Sequence, residues 1–117
     1  MTQKDRTVDM LVGMFDLSER RKFEVKKPDG SVGMTLYFKA ITRADRKRAQ
    51  SLANSDQALD ISTQMLCQMA EREDGSKAFA SADVPKLQRE LPEKILNELE
   101  LFLFDLEEEK VDESKND

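Results

Sequence analysis

A chain of 117 residues has room for one hydrophobic core, and its 38% hydrophobic against 37% charged content with a mean hydropathy of −0.66 is polar for a globular protein. The apolar residues still fall in periodic blocks, which argues against a disordered chain. Histidine and tryptophan are absent and Cys67 is the only cysteine, so the commonest general base and zinc ligand are missing and no internal disulfide can form.

Net charge is −5 but unevenly spread. Residues 1–50 carry 12 Lys/Arg against 7 Asp/Glu, and residues 51–117 carry 7 against 17, giving +5 and −10. Such polarity favours oriented encounter with a partner or with another copy of the chain. No run approaches the ~18 apolar residues of a membrane span. The opening MTQKDRT lacks the apolar core of a signal peptide. A lone cysteine fits a reducing cytoplasm.

In chain order, residues 1–21 read as an arm in which VDMLVGMFDL (8–17) makes a short amphipathic helix weakened by Gly13. From Lys22 the period changes to two. Phe23 and Val25 alternate with charges, Pro28-Asp29-Gly30-Ser31 signals a turn, and Val32, Met34, Leu36 and Phe38 alternate beyond it. This predicts a β-hairpin whose apolar face must pack on helices, because an isolated hairpin is marginal in water. Thr42-Arg43-Ala44-Asp45 fits a capping box for a helix to about Ala53. Asn54-Ser55-Asp56 breaks that helix and caps the next, over 57–72, with Ala58, Ile61, Met65 and Met69 as its stripe and Leu59, Leu66 and Ala70 flanking. Ser81 is expected to cap a short helix with Pro85 in its first turn. Leu91-Pro92 ends it and opens a last helix to about Glu108, striped by Ile95, Leu99, Phe102 and Leu106. The fold class is α+β, mostly helical: a β-hairpin packed against about four helices. The globular domain spans 22–106, and the acidic tail 107–117 is expected to be disordered.

Few residues here suggest chemistry. Arg43, Arg46, Lys47 and Arg48, near Arg20-Arg21-Lys22 and Lys26-Lys27, are the only basic concentration and suggest a nucleic-acid patch. Asp45 interrupts them and the chain as a whole is acidic, so a solvated face or a surface for an acidic protein is the better reading, and nucleic acid is not expected as a partner. Glu73, Asp74, Asp83 and Glu107–Glu109 lack the spacing of a calcium loop, and no metal site or cofactor is expected. Cys67, mid-helix among Met65, Leu66 and Met69, reads as a small core residue rather than a nucleophile, and Phe79 as a plug over the helices. Leu101 and Phe104 fall off the stripe of the last helix, so either that helix is central or part of it meets another chain.

The order of these pieces resembles the tail assembly chaperones of long-tailed bacteriophages. The residues that carry the likeness are 38–45, Glu73-Asp74-Gly75 with Phe79, Asp83-Val84, and Leu91-Pro92 running into 95–102. It covers roughly residues 22–106 and leaves residues 8–17 unmatched. The resemblance implies a non-catalytic protein that coats the long helical tape measure protein, keeps it soluble and helps recruit tail tube subunits. Such a protein acts in the host cell cytoplasm and is absent from the mature virion. It also implies that a longer frameshifted product can continue from the acidic tail. Weak self-association is expected, and no membrane contact. Met10, Met14, Phe15, Leu101 and Phe104 are the apolar residues an internal core needs least, so the partner contacts are placed there. A nucleic-acid-binding regulator and a structural head or tail component are the competing readings.

Overall fold

The computed structural model describes residues 6–105. Leu106, assigned above to the last stripe, and the tail 107–117 lie outside them. The elements are α1 (Thr7–Gly13), β1 (Arg20–Lys26), β2 (Val32–Lys39), α2 (Arg43–Ala53), α3 (Ala58–Met69), a 3-10 turn (Ser81–Asp83), α4 (Val84–Glu90) and α5 (Glu93–Leu103). This is the mostly helical α+β class, with an antiparallel hairpin set against a helical layer.

The hairpin turns where Pro28-Asp29-Gly30-Ser31 predicts. The Asp29 carboxylate accepts from the Ser31 N–H at 2.9 Å, and Gly30 sits at φ +92°, where a side chain would be strained. A bulge follows, since Val25 pairs with Met34 but Lys26 with Val32. Gly33 is the extra residue, and a Cβ there would lie 3.4 Å from the Val25 carbonyl oxygen. The hairpin starts at Arg20, two residues earlier than alternation suggests, because Arg20 pairs across to Lys39.

Only half of the alternating face of β2 is buried. Leu36 and Phe38 lie in the core, whereas Val32 and Met34 are exposed. The strand outruns the helical layer beneath it, so the expectation that the whole apolar face of the hairpin packs on helices fails at Val32 and Met34. Phe38 meets Phe102 of α5 at a ring-centroid distance of 5.6 Å, and Phe23 meets the same ring at 5.0 Å. These tilted geometries are the favoured ones for aromatic pairs.

The capping box at Thr42 is formed in both directions: Asp45 N–H donates to Thr42 Oγ1, and Thr42 N–H donates to the Asp45 carboxylate. Helix α2 ends at Asn54 in the left-handed conformation. Helix α3 is the centre of the fold and packs on α2, α4 and α5. Its residues Thr63, Gln64, Met65, Leu66, Cys67 and Met69 are all buried. Leu59, expected to flank its stripe, is exposed instead.

Helix α3 stops at Met69 rather than Arg72 because the chain beyond it pairs with the hairpin. Tyr37 and Glu71 exchange backbone hydrogen bonds of 2.9 Å, and Ala70 accepts from Ala78 N–H at 3.0 Å. Gly75, at φ +90°, turns the segment between them, with the Asp74 carboxylate accepting from Ser76 N–H. Arg20 locks this joint. Its guanidinium lies over the Tyr37 ring, donates to the Arg72 and Glu73 carbonyls, and pairs with buried Glu71 at 3.2 Å. Ser81 does not cap a helix. Its hydroxyl accepts from Gln64 Nε2, and the Asp83 carboxylate takes the Ala80 N–H. Phe79 closes over the core as expected.

Two measurements follow from this layering. Phe38→Ala should cost about 3–5 kcal/mol in denaturant titration, the range for a fully buried Phe, while Met34→Ala stays within about 0.5 kcal/mol. Similar losses at both sites would place the hairpin wrongly on its helices. The second concerns Glu100, buried in α5 with Thr63 Oγ1 2.8 Å from its Oε2. Burial pushes its carboxyl above the ordinary 4.5, and the Thr63 hydrogen bond opposes the rise. The folded state therefore holds that proton more tightly than the unfolded state, so the Glu100 contribution to stability falls as pH rises from 4.5 toward neutrality. The gain of Glu100→Gln over wild type should widen across that interval in thermal melts. A pH-independent difference would contradict the buried carboxyl.

Candidate functional site

Helix α1 and the turn after it place seven apolar side chains in water. Val8, Met10, Leu11, Val12, Met14, Phe15 and Leu17 are all about half exposed or more, with Met14 reaching 71%. The helix follows from the sequence: Arg6 takes the extended conformation before it, Met14 and Phe15 N–H close its last turn, and Asp16 then caps Ser18. Val8, Leu11 and Val12 fall on one face of the helix, and Phe15 follows in the turn beyond it. Among the described residues, every side chain from Arg6 to Glu19 is exposed, and nothing in the body covers the stripe.

The remaining two expected contact residues lie elsewhere. Leu101 is half buried on α5. Phe104, at the end of that helix, packs on the core with one side and lies under the Arg46 guanidinium at 5.5 Å from its ring centre. The five expected residues therefore fall into two groups, Met10, Met14 and Phe15 on the arm and Leu101 and Phe104 on the body. Phe104 is tied to the core more closely than its sequence position suggests.

Phe104 also forms part of a feature that sequence spacing does not show. A cleft of about 830 Å³ opens between the end of α5 and the start of α2, lined by Ile41, Leu103, Phe104 and four cations, Arg21, Arg43, Arg46 and Lys47. Among the described residues Asp105 is the one acidic residue in its wall, 3.8 Å from Arg21. Arg21 also lies over the Phe102 ring and donates to the Leu103 carbonyl. The two basic runs were legible as runs. Their convergence was not, because it depends on the hairpin register bringing residue 21 to residues 103–105.

A second concavity of about 320 Å³, between α3, α4 and α5, is lined by Leu59, Leu91 and Leu96 among polar groups that include Asp60 and Glu100. Thr63 bridges its floor, with its hydroxyl oxygen between Glu100 and the Leu59 carbonyl. The Asp60 carboxyl is held below its ordinary value by hydrogen bonds from Ser55 and Gln88.

Burial, with the nearby charges of Asp83 and Glu100, pushes the Cys67 thiol up to about 12, so it is neutral and inert at physiological pH. No cluster of three or more metal-ligating side chains occurs among the described residues, and no helix there is long and apolar enough to cross a membrane. What these surfaces offer chemically is burial of apolar area and ion pairing.

No protein-family model matches the sequence, and no curated protein matches it. Among solved structures the chain is similar to the bacteriophage HK97 tail assembly chaperone, with 14% identity and a TM-score of 0.48 over 86% of this chain and 98% of that one. This is a distant structural resemblance.

Proposed function

We propose that the chain is a phage tail assembly chaperone, a non-catalytic protein that binds the helical tape measure protein, holds it soluble and helps recruit tail tube subunits. It acts in the host cytoplasm and leaves before the virion is complete. The observation that carries this reading is the exposed apolar arm. A short helix that exposes Val8, Leu11 and Val12 on one face, with Phe15 exposed in the turn beyond it, is suited to lying along the apolar stripe of another helix. Met10 and Met14 flank it, and flexible thioether side chains repack against stripes of varied sequence. The order of motifs along residues 22–106 supports the same reading.

Magnitudes favour a coat of several copies over one tight contact. Fully burying a large apolar side chain is worth about 1.5–3 kcal/mol. Immobilising each costs about 0.5–1.5 kcal/mol, and association costs several kcal/mol more. A single arm therefore binds weakly. Arms repeated along a long stripe add, because each bound copy raises the local concentration of the next if copies touch. The +5 and −10 halves of the chain favour head-to-tail contact between copies, which builds rings or open chains. Leu101 and Phe104 supply the second contact surface in this scheme.

The test is co-expression with the tape measure protein. Leu11→Asp combined with Phe15→Asp should weaken binding by roughly 100-fold or more, since each residue contributes at least ~1.5 kcal/mol and 1.4 kcal/mol is ten-fold. The tape measure protein should then pellet, while the melting temperature of the variant stays that of wild type, because the arm touches nothing in the body. Undiminished solubilisation by the variant would remove the arm from the interface. Tight binding of duplex DNA at moderate salt would favour a nucleic-acid-binding regulator instead.

A further inference from the structure

We propose that the concavity between α3, α4 and α5 binds the guanidinium of an arginine presented by a different protein, with Glu100 and Asp60 as its carboxylate partners. Three carboxylates, Asp60, Glu93 and Glu100, line this cavity of about 320 Å³, and among the described residues no lysine or arginine does. A group of acids on a surface is commonly only a solvated face. Glu100 sets this one apart. It is 8% exposed, yet no cation pairs with it among the described residues. Its Oε2 lies 2.8 Å from the Thr63 hydroxyl, whose single proton also has the Leu59 carbonyl as an acceptor at 3.1 Å. Its Oε1 accepts no hydrogen bond among the described residues. The one partnerless side-chain oxygen that protein seals off there is Gln68 Oε1, so Glu100 Oε1 opens on the cavity.

A buried carboxylate short of donors destabilises the fold until a counter-ion reaches it. Burial holds the Glu100 carboxyl above its ordinary value, and a cation at Oε1 would reverse that rise. Asp60, on α3, is held ionised by hydrogen bonds from Ser55 at 2.7 Å and Gln88 at 3.1 Å, which leave lone pairs open on both of its oxygens. Two acceptors on different helices suit the planar, five-donor fork of arginine better than the point charge of lysine. The weaker hydration of guanidinium also suits a partly dry site. The aliphatic stem has a place as well, because exposed Leu59 and half-buried Leu91 and Leu96 share the wall with the carboxylates. The volume lies at the bottom of the ~300–1,000 Å³ range of ligand pockets, enough for one side chain and little more. A free amino acid would bring its own α-carboxylate toward three others, which favours an arginine within a polypeptide. The apolar arm and the Leu101 and Phe104 surface given above to contacts between copies lie outside this cavity, so its partner is a different protein.

The full chain can be tested by amide chemical shifts at low ionic strength, with N-acetyl-arginine N-methylamide as the probe. Thr63, Leu96, Asn97 and Glu100 should shift together and saturate in the millimolar range, as one partly exposed ion pair allows. Glu100→Gln keeps the shape, removes the charge and relieves the buried carboxyl, so it folds and its affinity for the probe should fall roughly ten-fold or more. On the wild-type chain the matching citrulline amide, alike in shape and uncharged, should give no saturating shift. The absence of saturating shifts at the four amides, undiminished affinity in Glu100→Gln, or equal binding of the citrulline amide would each overturn the proposal. So would shifts of the same size at the exposed turn carboxylates Asp29 and Asp74, which would show general charge pairing. Shifts at the four amides on concentrating the probe-free chain would put a second copy in the cavity and overturn the assignment to a different protein.

Discussion

The joint between the hairpin and the end of α3 is the constraint on which the body depends. A two-stranded sheet does not stand alone, and among the described residues this one gains a third line of backbone pairing through Tyr37 and Glu71. The pairing buries the Glu71 carboxylate, which is tolerable because Arg20 at 3.2 Å and Lys39 at 3.8 Å meet it from adjacent positions on the two strands. Arg20 then binds the carbonyls of the turn that follows and covers the Tyr37 ring. One side chain thus fixes the strand register, the end of α3 and the path toward Phe79. With the hairpin held there, Phe38 and Leu36 close the core over Met65, Leu66, Leu99 and Leu103.

This joint also determines which surfaces remain for partners. The body satisfies its apolar faces internally, apart from the hairpin end at Val32 and Met34 and the isolated Leu52 and Leu59. The arm satisfies none of its own. A helix of seven residues is too short to be stable in water by propensity, and nothing among the described residues packs on α1. The same register that seats Arg20 on Glu71 brings Arg21 to the end of α5, where it completes the basic cleft. Apolar arm and charged cleft are distinct surfaces, one suited to affinity by burial and the other to orientation and selection.

Elements held by local rules were legible in the sequence. The Thr42 capping box, the Pro28–Ser31 turn, the helix break at Asn54 and the Leu91-Pro92 boundary depend on neighbours within a few residues. Features set by distant pairing were not. Periodicity carries α3 on to Arg72, but Glu71 is needed as a strand partner for Tyr37, and a contact across 34 positions leaves no local mark. Met34 fits the buried alternation and is nonetheless exposed, because the length of the helical layer, not the pattern of the strand, decides where burial stops. Ser81 has the composition of a cap, yet its hydroxyl goes to Gln64 on another helix. Of the candidate contact residues, Met10, Met14 and Phe15 sit as exposed as the sequence suggests, while Phe104 is drawn into the cleft wall by Arg46.

The arm as a helix without a partner is tested most directly by amide hydrogen exchange on the dilute free chain and on the chain mixed with the proposed partner, the tape measure protein. The expected result is exchange close to the unprotected rate for residues 8–15 in the free chain, strong protection of Met65 to Met69 in both states, and new protection of 8–15 on binding. Protection of residues 8–15 in the free monomer, or none gained in the complex, would contradict it.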